Sequence, residues 1–112
     1  MLPDKNRLRL ATDFARLRKN GHKFVHPLAI LIYCENDKED IRFAFPASKK
    51  TGNAVKRNRA RRLLREAVRL QLPSLKIGYD CLLIVRNRTS KASFNEVSEA
   101  VESLFKRARL KK

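Results

Sequence analysis

The chain has 112 residues, close to the size at which one hydrophobic core suffices and two are hard to build, so a single domain is expected. Apolar residues make up 43% of it, too many for a disordered polycation, and they fall in runs between turn signals. Its 27 Lys and Arg against 11 Asp and Glu leave a formal net charge of +16, beyond the magnitude of roughly 2 to 8 that solubility needs, so the expected partner is a polyanion and nucleic acid is favoured.

In chain order, Thr12 to Asn20 places Phe14 and Leu17 three apart and ends at Asn20-Gly21, which predicts a short helix with a left-handed stop. Phe24 to Glu35 is rich in Ile, Leu, Val and Tyr and predicts one strand, with Pro27 confined to its beginning or to an edge. The polar cluster Asn36 to Asp40 predicts a hairpin turn. Ile41, Phe43 and Phe45 alternate with Arg42 and Ala44, the period of a strand with one buried face, expected to pair antiparallel with its predecessor.

After a polar loop from Pro46 to Asn53, a long helix is predicted to run to about Leu72, where Pro73 ends it. Asp80 to Arg86 is a nearly continuous apolar strand suited to the middle of a sheet. Ser93-Phe94-Asn95-Glu96 has the form of a capping box, opening a helix with Val97, Ala100, Val101, Leu104, Phe105 and Ala108 on one face. The order is αββαβα, an α+β sandwich. A strand, long helix and strand in succession imply a parallel crossover, right-handed by the general rule.

No stretch approaches the roughly 18 apolar residues of a spanning helix, and the N-terminal sequence has no apolar signal core, so no membrane partner and a cytoplasmic location are expected. Cys34 and Cys81 lie inside apolar runs and are expected to be reduced and structural. His22 and His26 are four apart, but Pro27 argues for extended chain and no third ligand lies nearby, so no metal site is expected. The acids are scattered, which excludes a protein nuclease of the two-metal type with its converging carboxylates.

From Lys49 to Arg69 there are nine basic residues and one acid, Glu66. At about 100° per residue, Ala60, Leu63, Leu64, Ala67 and Leu70 form the expected core stripe. Arg57, Arg61, Arg62, Arg65 and Arg69 then share the opposite side with Asn58. Five guanidiniums so placed repel one another unless phosphates lie between them, and the planar guanidinium binds phosphate in bidentate fashion. The preceding Lys49, Lys50, Thr51, Gly52 and Asn53 offer cations, a hydroxyl and a backbone free to approach phosphate.

The run Ser48-Lys49-Lys50-Thr51-Gly52-Asn53-Ala54-Val55-Lys56-Arg57-Asn58-Arg59-Ala60-Arg61-Arg62-Leu63-Leu64-Arg65-Glu66 closely resembles the signature of the bacterial ribonuclease P protein subunit. Asp13-Phe14 and the strand from Asp80 to Arg86 lie in the matching order, so the resemblance covers almost the whole chain. It implies a sandwich like a domain of ribosomal protein S5, with a left-handed βαβ crossover in place of the default hand. It further implies that the catalyst is a partner RNA with Mg2+, while the protein contacts that RNA and the 5′ leader of precursor tRNA. By the same resemblance, Lys49, Lys50, Asn53, Lys56, Arg57, Asn58, Arg59, Arg61, Arg62, Arg65 and Arg69 contact the catalytic RNA. Phe14, Arg18, Tyr33, Phe43 and Arg86 line the leader cleft, with Arg18 standing where many members carry a second aromatic. No residue of the chain itself is expected to be catalytic. The rivals are a basic ribosomal structural protein and a DNA-binding regulator; the latter needs a base-reading helix and usually a dimer, which the residues do not display.

Overall fold

The computed structural model describes residues 2–112, and its elements follow the predicted order with one strand more. Helix α1 spans Ala11–Asn20, strands β1 and β2 span His22–His26 and Ala29–Glu35, and β3 spans Arg42–Ala44. Helix α2 spans Ala54–Gln71, β4 spans Tyr79–Val85, and α3 spans Phe94–Arg107. The predicted strand from Phe24 to Glu35 is thus two strands of a hairpin. Pro27 and Leu28 form the turn between them, where Pro27 has no ladder hydrogen bond to lose and His26 Nδ1 accepts from the Leu28 amide at 3.0 Å.

The sheet order is β1-β2-β4-β3. The expected antiparallel pairing of β3 with its predecessor is therefore wrong. The strongly apolar β4 takes the place beside β2, in antiparallel register with Leu31 opposite Leu83, and β3 runs parallel to β4 on its far side. A chain as apolar as β4 gains most from burial on both faces, which only a central position gives. The loop from Asn36 to Asp40 is accordingly a crossing between non-neighbouring strands, not a hairpin turn.

Alternation along the strands divides the core. One face carries Ala29, Leu31, Phe43, Cys81, Leu83 and Val85 and packs against α2 and α3. The other carries Cys34 and Leu82 and packs against Leu8 and Leu17 of the N-terminal segment and α1. Helix α3 begins with the predicted capping box: Ser93 Oγ accepts from the Glu96 amide at 3.1 Å and the Glu96 carboxylate accepts from the Ser93 amide at 2.9 Å. Helix α2 is capped by Asn53, whose side chain accepts from the Lys56 amide at 3.0 Å. Gly52 precedes it at φ 125°, where a side chain would be strained and would meet Lys56.

The β3 border of the sheet is covered by the N-terminal segment, and the β1 border is engaged at one carbonyl. On β1, the Val25 carbonyl accepts from Arg107 at 2.9 Å. On β3, Arg7 bridges Phe43 and the Leu8 amide donates to the Phe43 carbonyl at 2.8 Å.

Candidate nucleic-acid interface

Helix α2 buries Ala60, Leu64, Ala67 and Val68. Val68 takes the place predicted for Leu70, which is 54% exposed. The buried stripe is therefore turned by roughly half a residue's angle from the one expected, because α2 must face the sheet and α3 together. The arginines turn with it. Arg62 and Arg59 are exposed, whereas Arg57, Arg61, Arg65 and Arg69 are half-buried along the flanks. They form two flanks of one helix in place of a single opposite face.

On the flank towards β3, Arg61 Nε donates to the Phe45 carbonyl at 3.1 Å and the Arg65 guanidinium lies 5.8 Å from the Phe45 ring centre. Arg7 and Arg9 of the N-terminal segment border the same depression. On the other flank, Arg59 Nε donates to the Ser90 carbonyl at 2.9 Å, and Arg62 stands beside Leu63 and Phe94. Arg69 grips Glu66 with both its Nε and a terminal nitrogen. Among the described residues, Arg57, Arg59, Arg61, Arg62 and Arg65 form no ion pair with any carboxylate of the chain. Arg57 Nε is shut from solvent without an acceptor. Backbone carbonyls aim Arg59 and Arg61 without neutralising them, so the positive potential of the helix is left for something outside the chain.

Lys49 and Lys50 are exposed on a 3-10 turn ahead of α2, and Lys56 and Asn58 are exposed on its first turns. Asn53 is also at the surface, but its side-chain oxygen is spent on the helix cap.

The second surface is the sheet face under α1. Phe14, Ile32, Ala44 and Ile84 are half-buried around the small core of that side. Further along, Ile30 and Pro27 share a depression with Lys50, Arg86 and Arg88. Arg86 also donates to the His26 carbonyl at 3.1 Å. Arg18 is exposed on α1. The five residues expected in one leader cleft are not brought together. Tyr33 and Phe43 lie on the opposite face of the sheet, where Tyr33 stacks with Phe24 at 6.2 Å and Phe43 is 2% exposed beside Phe105. The cause is the period of two: Ile32, one residue before Tyr33, is the β2 side chain that faces α1.

A residue that sequence reasoning passed over, Arg16, sets the height of α1 above this face. Asp80 is fully buried at the start of β4 and accepts from Arg42 through Nε and a terminal nitrogen, both at 2.8 Å, from Asn36 at 2.8 Å, and from Arg16. Asp13 lies 3.4 Å from Arg42 and 3.5 Å from Arg16. Burial alone would raise the Asp80 pKa, but the hydrogen bonds from Arg42, Asn36 and Arg16 outweigh it and hold the carboxyl below its ordinary value. One carboxylate thus ties α1, β3, β4 and the β2–β3 loop together. No local pattern connects residues 64 positions apart. Among the described residues, no three His, Cys, Asp or Glu side chains converge as they would around a metal ion, and no helix is long and apolar enough to cross a membrane.

The family model described as Ribonuclease P matches residues 2–109. A protein of Chloroflexus aurantiacus named ribonuclease P protein component is 39% identical over 103 residues, 91% of this chain and 76% of that protein. One of Alkaliphilus oremlandii with the same name is 37% identical over 105 residues, 94% of this chain and 92% of that one. Among solved structures, the RNase P protein of Staphylococcus aureus superposes with a TM-score of 0.86 at 26% identity, covering 96% of this chain and 98% of that chain. That of Thermotoga maritima gives 0.82 at 28%, covering 90% and 96%. The mixed α+β fold expected from the sequence is the fold of these proteins, and the chain belongs to the ribonuclease P protein family.

Proposed function

We propose that this chain binds the catalytic RNA of ribonuclease P through α2 and the basic turn before it, and receives the 5′ leader of precursor tRNA in the groove between α1 and the sheet. The cleavage that yields the mature tRNA 5′ end belongs to the RNA with its Mg2+. The observation that carries this reading is the set of five α2 arginines with no internal carboxylate partner among the described residues, two of them held through Nε by backbone carbonyls. Such charges are costly side by side and gain free energy when phosphates displace condensed counterions.

The leader groove has a different character. Half-buried Phe14, Ile32 and Ile84 suit the faces of unpaired bases, while Lys50 and Arg86 at its end suit the backbone. Tyr33 and Phe43 have no part in it. Two acids near the proposed RNA surfaces are already engaged. Asp80 is occupied by guanidiniums and Glu66 by Arg69, and among the described residues no three potential ligands converge, which supports assigning the Mg2+ mainly to the RNA. The setting for such a reaction is the cytoplasm, with no part for DNA or a membrane.

Reconstitution with the cognate RNA at low Mg2+ tests the proposal. The protein should restore leader removal under conditions where the RNA alone is inactive, and should favour leader-bearing over mature tRNA. Cleavage of precursor tRNA by the purified protein without RNA would refute this division of labour.

A further inference from the structure

The six phenylalanines fall into three kinds. Phe43 and Phe105 are fully buried. Phe24 and Phe45 are half-buried, and each ring is covered by a guanidinium of the chain, Arg107 at 5.4 Å and Arg65 at 5.8 Å. Phe14 and Phe94 are half-buried with no aromatic or cationic neighbour over the ring among the described residues. Phe14 lies in the groove already assigned to the leader. Phe94, the first residue of α3, has no assigned role.

Its surroundings are specific. Phe94 and Leu63 form a mainly apolar floor between α2 and the start of α3, rimmed by Arg59, Arg62 and Arg65, with Glu66 as the one acid. Glu66 is held by Arg69, so its charge is compensated at the rim. Arg59 is pinned through Nε to the Ser90 carbonyl, which leaves its terminal nitrogens free. An open aromatic ring bordered by guanidiniums without counterions matches a ligand with a flat π-face joined to an anion.

We infer that Phe94 and Leu63 form a slot for one unpaired nucleobase of the RNA partner, with Arg59 and Arg62 taking the phosphates on either side of it. The inference rests on the RNA-binding role proposed for α2 and adds to it a contact that reads RNA shape. The phosphate contacts of α2 accept any backbone, whereas a slot of this size accepts a base only where the RNA leaves one unstacked. An acidic peptide would satisfy the arginines but offers no planar group for the ring, so the continuity of the slot with the arginine helix favours RNA.

The test compares the full-length wild type with Phe94→Leu and Phe94→Tyr in binding the cognate catalytic RNA between about 50 and 200 mM salt. Leucine keeps the apolar volume that packs on the core but removes the ring, and tyrosine restores it; thermal unfolding confirms that both variants fold. Phe94→Leu should bind about 5- to 100-fold more weakly, and Phe94→Tyr within about twofold of wild type. The slope of log affinity against log salt should be the same for all three, because a stacked ring neutralises no phosphate. A single unpaired base of the RNA should gain chemical protection from the wild type and lose it with Phe94→Leu. A folded Phe94→Leu that binds within about twofold of wild type, or that lowers the salt slope, overturns the slot. Failure of the wild type to prefer this RNA over an unrelated RNA of equal length would instead refute the proposed function, and that arm is read before any variant.

Discussion

Replacing Asp80 by Asn tests whether the buried carboxylate holds the molecule in one piece. Oδ1 accepts from Asn36 and from Arg42 Nε, while Oδ2 accepts from Arg42 and Arg16. An amide of the same shape must turn its NH2 towards one of these donor sets, so at least one donor faces another donor and both guanidiniums lose their anion. Removing one partner of a buried ion pair costs about 3–5 kcal/mol. Arg16 is 33% exposed and Asp13 remains 3.5 Å from it, so solvent and a second carboxylate recover part of that loss; the expected cost is about 2–4 kcal/mol. For a chain of this length that corresponds to a fall in Tm of roughly 8–17 °C. Urea and thermal unfolding measure it, and hydrogen exchange should show α1 opening before the sheet, since Arg16 is its charged tie to β4. The pH dependence has a definite sign. A carboxyl whose pKa falls on folding contributes stability in full above the unfolded value near about 3.9, and that stability is lost as the pH drops through the folded value. Wild type and Asp80→Asn should therefore differ at neutral pH and converge in acid. A loss below about 1 kcal/mol at pH 7 would mean that Asp80 behaves as a surface ion pair and would refute the argument.

Leucine in place of an aromatic on either side of the sheet separates cleft from core. Phe14→Leu should reduce the preference for leader-bearing over mature tRNA by about fivefold or more, whereas Tyr33→Leu should leave that preference unchanged; a loss of discrimination in Tyr33→Leu would contradict the face assignment. The thiols are both inert by location. Burial pushes Cys81 well above its ordinary pKa, aided by the charge of Asp80, and burial raises Cys34 despite the lowering influence of Arg16. Both should react slowly with a thiol reagent in the native protein and fully after unfolding. Stability should decline above about pH 9, where unfolded thiols ionise and folded ones do not; fast labelling of either native thiol would contradict this.

Residues that act through near neighbours were legible in the chain. The capping box at Ser93 and Glu96, the stop at Pro73 and the apolar run of β4 each fix an element from a few consecutive positions, and the run from Ser48 to Glu66 carried the family. What failed depended on distant choices. The hairpin at Pro27 and Leu28 stayed hidden because Phe24 and Val25 of the short β1 run almost directly into the apolar β2, so the two strands read as one. The placement of β3 turned on β4, which lies beyond an 18-residue helix and outcompetes β3 for β2. Leu70 and Val68 are equally apolar, and only the contact of α2 with the sheet and α3 selects Val68 for burial. The resemblance puts Tyr33 in the cleft, yet a one-residue difference in strand phase sends its side chain to the far side. Arg16 has a local partner in Asp13, but its tie to Asp80 spans 64 positions and nothing near it in the chain announces that bond.

The two borders of the sheet bear on how so basic a molecule coexists with copies of itself. A bare outer strand is a template on which another chain can align, and a polyanion that gathers many basic proteins along its length would bring such templates together. Here the N-terminal segment lies along β3, whereas β1 is a short strand with Lys23 between two histidines, engaged at its Val25 carbonyl by Arg107. A copy brought close on a polyanion would then meet a covered rim at β3 and a short, charged one at β1.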